Sequence, residues 1–355
     1  TKECFQMKKI LSIIFAVIML FVVASCNNNE SASDKTSNST SESVSVENSE
    51  SVTLQNKTFK IGVVDGAPSL VVANLCDGFN YSDDKYNYST EIEITNTPQN
   101  IIAGFANKTY DMAIVPLNLA ATAYNKNLGV KLATVNIFGV LYMVGREEIA
   151  DLNKLKGEVV YSVGAGGTPE IVFKHILTAN NIKFEDGMPD TPKVDTVYIN
   201  TVSAASEAIA ALKTKKANYA ILGEPVVTQA IKSTGTVVAL DLQKEFSKIH
   251  NGVRLVQAGL VVKNEVAESG EYLNKLIEKM SGNKDYLYTE KDNVIAKLQS
   301  KGSQLKVALT KETLDRCLIG VKSAKGLKTE IEAFLTLLDA KIYGGKIPDE
   351  NFYLK

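Results

Sequence analysis

The chain has 355 residues, 45% of them hydrophobic, and carries 39 Lys and Arg against 40 Asp and Glu, a formal net charge of −1. With no basic field in it, this balance gives no footprint for nucleic acid. Four cysteines and two histidines stand at no metal-ligand spacing.

From Met7, Lys8 and Lys9 precede the apolar run Ile10 to Val23, the order of a positive n-region and an h-region. That run falls short of the ~20 residues a bilayer-crossing helix needs and ends at small residues, so a cleaved export signal is expected over a permanent span. Val23-Ala24-Ser25-Cys26 resembles a bacterial lipobox, which implies cleavage before Cys26 and lipid attachment to it. The alternative is an ordinary secretory signal with a chance cysteine. Thr1 to Gln6 read as upstream leader, so residues 1–25 are expected to be leader and signal. Without Thr1 to Ser25, which carry Lys2, Lys8 and Lys9 against Glu3, the charge is −3. Residues 26–53 are expected to form a lipidated tether. Asn27 to Thr53 are dominated by Ser, Asn and acidic residues, contain no aromatic, and cannot bury enough apolar surface to offset ordering. The Asn-x-Ser/Thr matches at Asn56, Asn87 and Asn107 read as chance.

Leu54 to Lys355 is long for one core, since single cores stop growing near ~250–300 residues, so two lobes are expected. Phe59 to Val64, Glu91 to Thr95, Met112 to Val115 and Lys131 to Val135 read as strands. So do Val159 to Val163, Val194 to Ile199, Tyr219 to Leu222 and Val237 to Leu240. Between them lie helical patterns: Thr168 caps ahead of Pro169, Ser203 precedes Ala205, Ile209 and Leu212, and Thr310 opens a face from Leu314 to Val321. The alternation predicts an α/β fold of mostly parallel sheets with helices on both faces. After Leu260 to Lys263 no further strand is expected. Long amphipathic helices take over there, one with the stripe Ile331, Phe334, Leu335, Leu338 and Ile342, and this tail packs back on the first lobe. Cys76 and Cys317 are the cysteines of the folded part. Both are expected as buried free thiols on helical faces, Cys317 beside Leu314, Leu318 and Val321, although export permits a disulfide. His175 falls opposite the Phe173, Ile176 and Leu177 face and His250 in a polar loop, so both read as solvated.

Six segments, in order, carry a resemblance: Lys60-Ile-Gly-Val-Val-Asp-Gly-Ala-Pro-Ser69, Tyr110-Asp-Met-Ala-Ile-Val-Pro116, Gly139-Val-Leu-Tyr142, Gly164-Ala-Gly-Gly-Thr-Pro169, Tyr219 to Thr228, and Gly345 to Tyr353. Together they resemble the NMT1/THI5-like solute-binding proteins for alkanesulfonates, nitrate and thiamine precursors, which have the type II periplasmic-binding-protein fold. The resemblance covers the whole module. It implies lobe one at 54–142 and 256–355, lobe two at 143–255, an exit near Tyr142 to Arg146 and a return along Val256 to Val262, the two crossings forming a hinge.

Independently of that family, ligands of open α/β sheets bind beyond the carboxyl ends of strands. Four loops qualify. Gly66, Ala67, Pro68 and Ser69 leave the first strand with small residues that admit a ligand to the backbone. Pro116 is followed by Asn118, whose amide both donates and accepts. Gly164, Gly166, Gly167 and Thr168 form either an anion cradle or a plain strand-to-helix turn, and no Gly-Lys-Ser/Thr makes it a Walker loop. Glu224 either accepts from a ligand donor or stabilises a helix N-terminus. Thr201 and Ser203 reach ligand or merely cap, and Gly139, Tyr142 and Gln257 lie near the crossings. Phe138 reads as core.

Three functions fit. The first is capture of a small solute, sulfonate-like or thiamine-precursor-like, by a monomeric lipid-anchored protein on the extracytoplasmic face of the membrane, for delivery to an ABC permease and its ATPase. No cofactor, metal or nucleic acid is expected. The second is a same-fold enzyme of pyrimidine or menaquinone biosynthesis, against which stand the lack of a nucleophile and base pair and the isolation of Cys76. The third is a surface receptor without transport.

Overall fold

The computed structural model describes residues 54–355, within the unit Val52–Lys355; the expected signal, Cys26 and tether lie outside the described residues. Among the described residues thirteen strands form two sheets. The first sheet uses β1 (Gln55–Val64), β2 (Phe79–Ser82), β3 (Tyr86–Thr95), β4 (Met112–Pro116), β5 (Val130–Ile137), β12 (Ala258–Lys263) and β13 (Ile319–Ser323), in the order β13-β5-β12-β4-β1-β3-β2. The second uses β6 (Leu141–Gly145), β7 (Val159–Val163), β8 (Lys183–Asp186), β9 (Thr196–Val202), β10 (Tyr219–Gly223) and β11 (Val237–Asp241), in the order β11-β6-β10-β7-β9-β8. Strands β1, β3 and β4 pair in parallel, as do β7, β8, β9 and β10, while β12 is antiparallel to both β4 and β5 and β6 is antiparallel to β10 and β11.

Burial on both faces explains why several strands read as unbroken apolar runs. In β4, Met112 and Ile114 enter one core cluster while Ala113 and Val115 enter another. On one side of the first sheet lie helices Pro98–Ala106, Leu117–Asn125 and Lys328–Thr336, contributing Ile101, Ala120 and Phe334. On the other lie Glu271–Ser281, Asn283–Thr289, Lys291–Gln299 and Lys311–Arg316, contributing Leu276, Leu287, Leu298 and Leu314. The second sheet is covered by Thr168–Ala179 and Leu242–Ile249 on one face and by Ala205–Lys213 and Val226–Thr234 on the other. The fold is thus two α/β layers flanked by helices.

Several local expectations need correction. The C-terminal third does contain a strand: Leu318 turns left-handed at φ 44°, ends the helix begun by the Thr310 cap, and lets Ile319 pair with Ile137. The expected face from Leu314 to Val321 is therefore split between a six-residue helix and an edge strand. The helices of this region are short, 11 residues at most, and the apolar stripe breaks after Thr336, with Ile342 in a separate turn, Ala340–Tyr343. Thr168 is the first helical residue, behind a Gly167 N-cap, and makes no side-chain cap; Ala204, not Ser203, caps the next helix. Cys76 and Cys317 are buried and free, and burial raises both thiols, Cys76 to about 11. The two histidines are not solvated independently. His175 Nε2 and His250 Nε2 lie 2.8 Å apart, and both rings pack on Phe246.

The first crossing is also earlier than expected. Tyr142 pairs with Leu222 and Asp241 inside the second sheet, so the chain passes between sheets at residues 138–140, not at Tyr142 to Arg146. Gly139 makes this possible. Its φ is 118°, and a Cβ there would sit 1.9 Å from Gln243 Cγ, whose own Oε1 accepts from the Leu141 N–H. A tight approach of backbone to side chain explains this glycine without a ligand.

Candidate functional site

The topology turns the carboxyl ends of both sets of parallel strands toward the crossings. Pro116 at the end of β4 and Ile137 at the end of β5 both face Ala258, the first residue of the returning strand. In the second sheet Gly223, at the end of β10, faces Leu141, the first residue of β6. The loops after β1, β4, β7, β9 and β10 therefore border one interlobe space, where such folds bind ligands.

On the first lobe the loop after β1 is satisfied internally. Asp65 accepts from the Gly66 N–H at 2.9 Å, Ser303 Oγ at 2.6 Å and the Gln304 N–H at 2.6 Å. Ser69 is fully buried and donates to the Gly66 carbonyl at 2.7 Å. Ala67 to Leu70 form one helical turn, with Pro68 half-buried, so this loop offers a ligand shape more than hydrogen bonds. The loop after β4 differs. Leu117 N–H donates to the Gln257 carbonyl at 2.9 Å, which sets the two chain segments side by side. Asn118 Oδ1 and Gln257 Oε1 are both buried with no hydrogen-bond partner among the described residues. A buried polar group left unpaired costs roughly 1–3 kcal/mol, so these two acceptors, on segments that meet at the strand ends, are open to a ligand donor.

On the second lobe the glycine loop has the expected backbone but a different partner. Gly164 and Gly166 sit at φ 78° and 66°, and a Cβ at either would meet nothing within 4 Å. The Gly167 N–H donates to the Gly164 carbonyl, and the Gly166 N–H donates to Glu170 Oε2 at 3.2 Å. Glu170 also accepts from Thr201 Oγ1 at 2.9 Å and Lys174 Nζ at 2.6 Å. Burial opposes its ionisation, but the bonds from Lys174, Thr201 and Gly166 outweigh that and hold the carboxyl below its ordinary range. The cradle thus already receives a carboxylate from its own helix, and an added anion would meet that charge. Ser203 is exposed.

Glu224 combines both readings open to it and adds a third element. Its side chain is wholly buried and accepts from the Thr228 N–H at 3.2 Å in the first turn of helix Val226–Thr234. It also accepts from Arg316 Nε at 2.5 Å, across the interlobe space. Arg316 Nη2 donates to Thr228 Oγ1 at 2.9 Å, and that hydroxyl lies 2.9 Å from Thr313 Oγ1. Tyr142 OH donates to the Arg316 carbonyl at 3.0 Å, with burial raising its pKa. Glu224 is therefore an ion-pair partner of the first lobe. Sequence reasoning missed Arg316, although a signal existed: the chain has three arginines among its 39 basic residues, so each is a chosen guanidinium. Arg146 spans the carbonyls of Leu212 and Thr234, and Arg254 lies over the Phe138 ring.

A cavity of about 620 Å³ also opens between the lobes, with Tyr142 as the one expected site residue on its wall. Its wall carries residues of β13, β6 and β11 and of the segments beside β5 and β12, and none from the loops after β1, β4, β7 or β9. Among the described residues no group of three His, Cys, Asp or Glu could hold a metal, and no helix is long and apolar enough to cross a membrane.

No protein-family model and no curated protein matches the chain. Solved structures do. An ABC transporter from Parabacteroides distasonis aligns over 84% of this chain and 99% of its own at 23% identity and a TM-score of 0.68. The periplasmic aliphatic sulphonate binding protein SsuA from Escherichia coli aligns over 81% and 90% at 14% identity and 0.57. The ligand binding component of an ABC-type import system from Staphylococcus aureus, solved with zinc bound, aligns over 81% and 98% at 12% identity and 0.53. The chain therefore has the two-lobed fold of periplasmic binding proteins. One fold with a sulphonate protein and a zinc-bound protein among its neighbours leaves the ligand to the residues of the site.

Proposed function

We propose that the chain is the extracytoplasmic solute-binding component of an ABC importer, a monomer held to the membrane by a lipid on Cys26 and working with a permease and its ATPase. The observation that carries this reading is the pair of orphan acceptors, Asn118 Oδ1 and Gln257 Oε1, at converging strand ends of a two-lobed fold. Lobe one is taken as the segments on either side of lobe two, with the boundary moved to residues 138–140.

Among the two solute classes considered, the orphan acceptors favour a heteroaromatic with ring N–H or amino donors, thiamine-precursor-like, over a sulfonate. Glu170 seated on the Gly166 N–H disfavours an anion in the glycine cradle. Binding without turnover fits the same facts. The two buried carboxylates of the interlobe space, Glu170 and Glu224, are each held by a cation and by backbone N–H groups, which leaves neither poised to move a proton. The test is calorimetric titration of the full chain with aminopyrimidines, thiamine, taurine and alkanesulfonates, with small-angle scattering on every hit. Saturable binding with a smaller radius of gyration supports capture by lobe closure. Conversion of any hit to product, or no binding across the panel, overturns it.

A further inference from the structure

The 620 Å³ cavity between the lobes is built like a ligand pocket in its own right. Its volume falls in the roughly 300–1,000 Å³ range of small-molecule sites. Its wall is apolar and aromatic: Phe138, Leu255, Leu287, Tyr288, Leu314 and Leu318. Leu318 is the informative residue. It is 38% exposed and sits at φ 44°, a conformation that a branched side chain adopts only at a cost. The turn that ends the helix at Arg316 leaves this leucine partly exposed against the cavity, where it offers apolar surface to an occupant.

The charges at the rim are unequal in availability. Asp241 accepts from Gln243 and from the Lys244 N–H as a helix cap, and Asp315 accepts from Lys311 Nζ and Tyr288 OH, so both acids are engaged. Arg316 is engaged by Glu224. Lys284 has no ion-pair partner within 4.0 Å among the described residues, Lys244 reaches Asp241 at a loose 3.5 Å, and Arg254 meets Glu330 at 3.8 Å. Three cationic groups with capacity to spare thus surround an apolar floor.

We propose that this cavity is a second small-molecule site, separate from the strand-end loops, that takes an organic anion with an aromatic or aliphatic body. Both lobes line it: Tyr142, Lys244 and Leu255 on one side, Lys284, Leu314 and Leu318 on the other. The occupant therefore binds one interlobe angle better than others and shifts the population toward it. The site goes beyond solute capture and does not depend on it.

The test is calorimetric titration of the full chain with naphthalene-2-sulfonate, with methanesulfonate as the same anion lacking an apolar body. The expected result is one saturable site with a dissociation constant of about 0.1–1 mM, the affinity of a good ligand of that size. Methanesulfonate should bind at least about tenfold more weakly. Leu318→Gly, which suits the left-handed backbone and so keeps the fold, should weaken the probe about tenfold. Lys284→Ala and Lys244→Ala should each weaken it about threefold. No saturable heat up to about 10 mM, equal binding of methanesulfonate, or a dissociation constant unmoved by Leu318→Gly would overturn the proposal. So would loss of probe binding in Asn118→Ala together with its retention in Leu318→Gly, since the probe would then occupy the strand-end loops.

Discussion

Replacing Arg316 with Met removes the guanidinium and keeps most of the side-chain volume, which isolates the charge. The partner it abandons, Glu224, has a wholly buried side chain, whereas that of Arg316 is 24% exposed. Removing one member of a buried pair costs about 3–5 kcal/mol, because the remaining charge is left uncompensated. Here Glu224 keeps the Thr228 N–H and hydroxyl, and water can reach the space left by a partly exposed arginine, so the lower end applies: about 3 kcal/mol. For a folded unit of this size that corresponds to a fall of about 5 °C in melting temperature. Glu224→Gln in the Arg316→Met background removes the stranded charge and should recover about 2 kcal/mol, a coupling that a double-mutant cycle reads directly. Because the pair bridges the two lobes, Arg316→Met should also widen the scattering-derived radius of gyration. A loss below about 1 kcal/mol, the range of exposed ion pairs, with no recovery in the double variant would refute the reasoning.

Gly139→Ala places a Cβ within 1.9 Å of Gln243 Cγ at φ 118°, and should cost about 3 kcal/mol in urea denaturation; a loss under 1 kcal/mol would mean that the crossing relaxes freely. His175 and His250 are both held below their ordinary pKa of 6.5, each by burial first and His175 also by the charge of its neighbour. The depressed folded pKa means that the unfolded chain takes up protons first as pH falls. The pair's share of stability is present above about pH 6.5 and is lost as pH drops below it. His175→Phe should flatten that slope in denaturation curves between pH 7.5 and 5.0, and an unchanged slope would count against the pair. Glu170→Gln leaves the Gly166 N–H facing a neutral amide and should raise affinity for methanesulfonate at the glycine loop, read by titration calorimetry; an unchanged or weaker affinity would show that the loop is a turn and no cradle.

Strands β1, β4, β5, β7, β9, β10 and β11 were legible because helices cover both faces of their sheets, so nearly every residue is apolar and the runs are bounded by Gly, Pro and Asn. Three of the four edge strands were not. Strand β2 is Phe-Asn-Tyr-Ser, β8 is Lys-Phe-Glu-Asp and β13 is Ile-Gly-Val-Lys-Ser, too short and too polar to stand out. Strand β6 failed for another reason: its Leu-Tyr-Met-Val-Gly run follows β5 with three residues between, and nothing local says that those residues change sheets.

Local chemistry determined the α/β class, the strand-end loops and the glycine conformations at Gly164 and Gly166, because propensity and periodicity act over a few residues. Partner choice was decided by the tertiary structure. Glu170 took the Gly166 N–H that was expected to face a ligand, since a carboxylate one turn into the helix reaches back to its own loop. Glu224 took Arg316, 92 residues away, and His175 took His250, 75 residues away. Asn118 and Gln257, drawn together by antiparallel pairing of β4 with β12, were left with acceptors to spare. Which polar group is satisfied and which stays open depends on neighbours that only the folded chain brings within 3 Å, and that is why the loops of the site were readable and its electrostatics were not.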